Sequence, residues 1–344
     1  MVKNHTTEKI QGAVAGFAIG DSLGFPAAGI RAKDFLEINK GPIKGFSENK
    51  YHPLFYKLRR GQYTDNNRLF VLTIESLVSK GSYDEIDIIL RLKNWAKLCR
   101  ESPYFERWPG KTSLTAALKL LNGGAISECG VKKTISCGSI YRALPLGIFL
   151  FNKTGDFIVK ISERCASYTH NSKVSKLGAA FASLILSKII GSCKFEESVI
   201  DSLSIFKELE GDKISLQLFR KIEWIIYNYK TLSYHNARKV LGTGSSITQT
   251  LPLSLLICLK ARNFEEGVIA AANSFRDDCE KERERLSQFG WTNQLLECIG
   301  GNTDGIAAIC GCFLGALFGV ENIPQSFKKV EDFKKTQKIA LQIC

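Results

Sequence analysis

Apolar positions along the chain recur at intervals of three and four residues, the spacing of one helix face, and seldom alternate with the period of two that marks a half-buried strand. The stretches 65–80, 83–99, 174–190, 215–229 and 247–259 show this most plainly and predict helices there. Ser82, three residues ahead of Glu85, has the spacing of a capping box and is expected to open one of them. Glycine and proline break the pattern at Gly41-Pro42, Pro109-Gly110, Gly123-Gly124, Gly242 to Gly244 and Gly300-Gly301. No linker or low-complexity tract divides the chain, so residues 1–344 are expected to form one all-α domain of about a dozen helices.

A second pattern lies on two of these helices. Gly12, Gly16, Gly20 and Gly24 recur every four residues, as do Gly311, Gly315 and Gly319. Each glycine costs a helix about 1 kcal/mol relative to alanine, so such a stripe implies that another backbone approaches closely. The two stripes are expected to pack tightly, and on each other. Small residues filling a crowded core explain them as well as a part in shaping a site does. The longest strongly apolar run, 306–320, falls short of the roughly 20 residues of a membrane span and reads as a buried helix.

Composition narrows the class. At 44% hydrophobic and 24% charged residues with only 8 prolines, the chain is globular rather than disordered, collagen-like or coiled-coil. A formal net charge of +13 suits a polyanionic partner: a nucleotide diphosphate, a nucleic acid or an acidic membrane face. No interleaving of aromatic and basic residues suggests stacked bases, so nucleic acid is not expected. The 11 cysteines are scattered with no CxxC pair, which argues for free buried thiols in a reducing compartment rather than a zinc ribbon or a disulfide framework. The polar start MVKNHTTEKIQ carries no secretory signal, and a cytoplasmic location is expected.

Three kinds of segment could carry chemistry. Gly61 to Asn67 runs into one predicted helix with Thr64 and Asp65 at its start, and Gly300 to Gly305 enters the second glycine-striped helix with Asn302, Thr303 and Asp304. Taken singly these are ordinary helix caps. Together they can set hard oxygen ligands around one Mg²⁺. The small-residue loops at Gly138-Ser139 and Gly242 to Ser246, with Gly244 and Ser245, can offer backbone N–H groups to a phosphate, though neither has P-loop or dinucleotide spacing. His170 is one of 4 histidines, and a lone histidine is more often a satisfied structural residue than a ligand contact. The charged stretch 276–285 and the lysines at 328, 329, 334, 335 and 338 read as solvated surface, the latter on a basic C-terminal helix at about 325–343.

In order along the chain, Gly12 to Gly16, Gly20-Asp21-Ser22-Leu23-Gly24, Tyr63-Thr64-Asp65, Gly138-Ser139 with Arg142 and Pro145, Thr169-His170, Leu251-Pro252 and Gly300 to Asp304 resemble the ADP-ribosylglycohydrolase family, which includes the dinitrogenase-reductase-activating glycohydrolase. The resemblance covers most of the chain. It implies an orthogonal helical bundle whose cleft binds ADP-ribose beside two Mg²⁺ ions and cleaves the glycosidic bond to a modified protein side chain. Carried over residue by residue, it makes Asp65 and Asp304 catalytic, places Thr64, Asp65 and Asp304 on metal, and puts Asn66, Gly138, Ser139, His170, Gly244, Ser245 and Asn302 against substrate.

The chain departs from the family's pattern at the metal motifs. Asn66 stands where a second Asp is expected, Asn302 replaces the first acid of the later motif, Gly305 replaces a hydroxyl residue, and Cys137 takes a place where Asn is common. With two of four carboxylates lost, two divalent ions would leave the site at about +2 rather than about 0. The expectation is therefore one Mg²⁺ at most, or none. An insertion at about 274–299 precedes the second motif and is placed to shape the rim. The reading is an atypical ADP-ribosyl hydrolase acting on an ADP-ribosylated protein, with arginine as acceptor. Its rival is a degenerate ADP-ribose-binding protein or pseudoenzyme on the same scaffold.

Overall fold

The computed structural model describes residues 2–102, 106–207, 212–276 and 300–343, with side chains from residue 5 onward. The first half contains α1 (Val2–Gly24), α2 (Ala32–Ile38), α3 (Asp65–Lys80), α4 (Glu85–Glu101), α5 (Lys111–Leu121), α6 (Ile126–Cys129), α7 (Gly138–Phe149), α8 (Gly155–Ser167) and α9 (Lys173–Ile190). The second half contains α10 (Phe195–Lys207), α11 (Lys213–Asn228), α12 (Tyr234–Leu241), α13 (Ile247–Lys260), α14 (Phe264–Ala272), α15 (Thr303–Phe318) and α16 (Phe333–Leu341). The fold is all-α, as the periodicity predicts. Among the described residues only two isolated β-bridges occur, Val131 with His170 and Ser136 with Ser246.

Helix starts follow local chemistry. Thr64 caps α3 by accepting from Asn66 N, and Ser172 caps α9 through Ser175 N. The capping box expected at Ser82 is not formed. Asp84 accepts from Asp87 N instead, because its carboxylate stands immediately before the first helical residue and also suits the positive end of the helix. The basic C-terminal segment is a 3₁₀ turn at Phe327–Lys329 followed by α16. Of the insertion expected at 274–299, all but residues 274–276 lies outside the described residues.

The glycine stripes meet. A Cβ on Gly12 would lie 2.1 Å from Gly315 O, on Gly16 1.9 Å from Gly311 O, on Gly20 1.8 Å from Ala307 O, and on Gly24 2.3 Å from Thr303 O. The order of partners shows α1 and α15 running antiparallel, backbone against backbone. Their seam sets the end of α1, with Asp21, beside the start of α15, with Asp304. Phe17 of α1 stacks on Phe70 of α3 at 4.2 Å between centroids and meets Tyr141 of α7 edge-on. Burying each of these phenylalanines contributes about 1.5–3 kcal/mol, and the trio ties α1, α3 and α7 together under the site.

The principal core draws residues from Ile10 to Ala340. A second cluster gathers Leu69, Ile88, Trp95 and Tyr168 around α4, and a small third one joins Phe25 to Phe55 and Leu58. The eight described cysteines are all free, and only Cys193 is not buried. Among the described residues no single helix is long and apolar enough to cross a membrane.

Candidate functional site

The site grows from the seam. Asp21, fully buried, accepts from Thr64 N at 3.0 Å, Thr64 Oγ1 at 2.7 Å and Asn67 N at 3.1 Å, so one carboxylate of α1 ties down the first turn of α3. Asp65, next along, accepts from Gly110 N at 2.8 Å. Asn66 Nδ2 donates to Asp304 Oδ2 at 3.0 Å, which joins two motifs 238 residues apart. Thr64, Asp65, Asn66 and Asp304 are thus brought together.

Asn302 lies at the same mouth. Its Nδ2 donates to Thr250 Oγ1 at 3.1 Å and Cys137 Sγ at 3.4 Å, and its backbone N donates to Thr243 O at 2.6 Å. With both amide hydrogens directed inward, Asn302 Oδ1 is the atom left for a ligand. Thr250 Oγ1 in turn donates to Gly244 O at 2.8 Å. Cys137 Sγ lies 3.3 Å from Tyr141 Oη. A Cβ at Gly305 would fall 2.4 Å from both that phenol oxygen and Asn302 Nδ2, so Tyr141 and Asn302 together fill the space a hydroxyl side chain at 305 would need.

The two small-residue loops join each other. Cys137 N donates to Ser245 O at 2.9 Å and Ile247 N to Ile135 O at 2.7 Å. Gly138 and Ser139 open α7, where Cys137 makes no side-chain cap bond. Ser139 Oγ donates to Ser175 O, so only its backbone is left to face a ligand. Gly244 N is occupied by Gln249 Oε1 at 2.8 Å, while Ser245 is exposed. His170 is fully buried against Gly138.

The electrostatics of the cluster follow from burial. Asp21 is pushed up to about 7, first by desolvation and then by the charge of Asp304, against the bonds from Thr64 and Asn67. Burial raises Asp65 well above the ordinary carboxyl range, helped by the charges of Asp21 and Asp304 and opposed by the Gly110 N–H. Asp304 is raised by burial in the same way. Negative charge in this pocket is therefore under-compensated, and a cation or a cationic substrate group relieves it.

The donors test what cation fits. Among the described residues no three His, Cys, Asp or Glu side chains gather as a metal-holding group. Both Asp21 oxygens are engaged, and Asp304 Oδ2 is held by an amide where a four-acid site would have a carboxylate. A pair of divalent ions does not suit this set. What remains is two carboxylates, one free lone pair on Thr64 Oγ1 and Asn302 Oδ1, oxygen donors whose chemistry suits one hard cation at most.

Reading the sequence alone left Asp21, Gly110, Tyr141 and Thr250 without a role. Asp21 stands inside the Gly20 to Gly24 motif, which was a usable signal. Gly110 shows locally only as half of the Pro109-Gly110 break, and nothing local marks Tyr141 or Thr250.

The ADP-ribosylglycohydrolase family model matches residues 3–344. The chain is 22% identical to mouse ADP-ribosylhydrolase ARH3, over 96% of its own length and 90% of that protein. It is also 22% identical to ADP-ribosylarginine hydrolase Tri1 of Serratia proteamaculans, over 94% and 75%. A solved ADP-ribosylglycohydrolase-related protein complex superposes with a TM-score of 0.72 at 19% identity, covering 99% of this chain and 98% of that one, which supports the fold.

Proposed function

The chain belongs to the ADP-ribosylglycohydrolase family, and from that premise we propose that it hydrolyses the glycosidic bond between ADP-ribose and a modified protein side chain, arginine first. The observation that carries this reading is the joining of two distant motifs by the Asn66 amide on Asp304, with Asp65 and Asp304 both buried and close enough for the charge of Asp304 to raise Asp65. The pyrophosphate would lie at Gly138-Ser139 near His170, where the helix dipole favours an anion. The distal ribose would then sit between Asp65 and Asp304.

Cleavage at C1″ develops positive charge on the ribose, which a nearby carboxylate stabilises while another accepts a proton from the attacking water. Carboxyls raised toward neutrality by burial are suited to that exchange. Asp65 and Asp304 take these two parts. Asn66 holds Asp304, and Asp21 keeps Thr64 and the first turn of α3 in place. The family resemblance implies a bound metal, and one Mg²⁺ held by Thr64, Asp65 and Asp304 would supply positive charge that polarises a ribose hydroxyl. A guanidinium leaving group suits an under-compensated acidic pocket, and one relative is named for arginine.

The amide of Asn66 on Asp304 favours one rival, an ADP-ribose binder that has lost turnover. A single assay separates the two. Incubation with an arginine-ADP-ribosylated protein should release free ADP-ribose, and Asp65→Ala or Asp304→Ala should slow release by about 10²–10⁴-fold. Saturable ADP-ribose binding with no release at any enzyme concentration, with or without Mg²⁺, would overturn the hydrolase reading. Release from a serine linkage but not from arginine would overturn the acceptor alone.

A further inference from the structure

Arg142 is a cation with no exposed surface, and among the described residues no carboxylate pairs with it. Its Nη2 donates to Thr169 Oγ1, and its Nη1 lies 3.4 Å from Gly138 O. Thr169 Oγ1 is also 2.7 Å from His170 Nδ1. Backbone bonds from Val131 N to Thr169 O and from Asn171 N to Val131 O hold this pair of residues rigidly.

The protons in this array can be placed by counting. A guanidinium only donates, so Thr169 Oγ1 accepts from Arg142. The hydroxyl has one hydrogen of its own, and His170 Nδ1 is the acceptor within reach. A buried hydroxyl hydrogen left unpaired would cost about 1–3 kcal/mol, which disfavours the reverse arrangement. Burial, reinforced by the charge of Arg142, holds the imidazole neutral. With Nδ1 accepting, the ring hydrogen must sit on Nε2.

That nitrogen has no partner and is buried. A Cβ at Gly138 would lie 3.0 Å from it, and 3.6 Å from Ser113 Oγ, so the strip of space that glycine leaves at the start of α7 is bounded by an unused N–H donor. A neutral donor at a helix N-terminus calls for an anionic oxygen.

We propose that Arg142 and Thr169 are positioning residues that fix His170 as its Nε2–H tautomer, presenting that N–H to a phosphate oxygen of the ligand along Gly138. The phosphate part rests on the reading of the α7 loop as the pyrophosphate site, whereas the tautomer is a property of the ligand-free protein. Long-range ¹H–¹⁵N spectra of the full chain with ¹⁵N-labelled histidine, His170 being assigned by its loss in His170→Asn, read the tautomer directly. The expected pattern has Nε2 protonated and Nδ1 bare, unchanged between about pH 5.5 and 8.

Thr169→Val should break the relay, give a mixed tautomer and weaken ADP-ribose binding by about tenfold, and Thr169→Ser should restore both. A ring protonated at Nδ1 or charged, or a Thr169→Val protein that keeps the Nε2–H pattern, would overturn the relay. An intact Nε2–H pattern whose Nε2 resonance does not move on saturation with ADP-ribose would support the relay and overturn the phosphate contact.

Discussion

Alanine at Gly16 probes the seam on which the site is built. The added Cβ would lie 1.9 Å from Gly311 O and 2.6 Å from Gly311 C, both backbone atoms that no rotamer change can move. Raising 1.9 Å to the 3.4 Å at which ordinary contact begins requires α1 and α15 to part by about 1.5 Å. The adjoining contacts at Gly12 and Gly20 open with it. Helix propensity returns about 1 kcal/mol in favour of alanine. Against this, overpacking typically costs about 1–3 kcal/mol; where backbone meets backbone it is set at about 3–5 kcal/mol, so the net loss is expected to be about 2–4 kcal/mol. Scaled by the unfolding entropy of a chain this long, that lowers Tm by about 3–6 °C.

Gly155→Ala is the control. It replaces the first residue of α8, where the nearest atoms to a new Cβ are side-chain carbons at 3.4 and 4.0 Å, and it should leave stability unchanged or raise it by up to about 1 kcal/mol. Thermal melts followed by far-UV circular dichroism, with urea midpoints at unchanged m-value, measure both proteins. The double variant Gly16→Ala/Gly311→Ala should lose less than the sum of its singles, because one separation admits both methyl groups. A Gly16→Ala protein melting at or above the parent would refute the backbone-contact account of the glycine stripes.

Two further outcomes concern the charge of the site. Asn66→Asp replaces an amide bonded to Asp304 with a second carboxylate, so Tm should fall without divalent ions and recover with Mg²⁺; calorimetry should find at most one weak Mg²⁺ site in the parent and a tighter one in Asn66→Asp/Asn302→Asp, and no change in either quantity would remove these residues from a shared site. The raised carboxyls also set a pH dependence: unfolded, they titrate near the ordinary value of about 4, whereas Asp21 holds its proton to about 7, so their stabilising contribution is fully present below about pH 4 and lost as pH rises through the folded values. Tm measured from acid to alkaline pH should therefore fall across that window while the hydrolysis rate climbs, and Asp304→Asn should flatten the Tm slope; a slope of the same size in that variant would place its origin elsewhere.

Most of the helices, the glycine seam and the two acidic motifs were legible along the chain, because helical periodicity, a four-residue glycine repeat and cap residues are all set within a few turns of backbone. Residues 65–80 and 247–260 form helices where apolar spacing puts them, and the two stripes meet as their cost in isolation demands. What only the tertiary structure decided lies in contacts between distant segments: Asp21 holding Thr64, Asn66 bridging to Asp304, Tyr141 and Asn302 filling the space at Gly305, and Cys137 and Thr250 fixing the amide of Asn302. Each of those side chains has several possible partners as far as local sequence is concerned. Burial in one shared pocket, where an unpaired polar group is costly, selects the partner that is used.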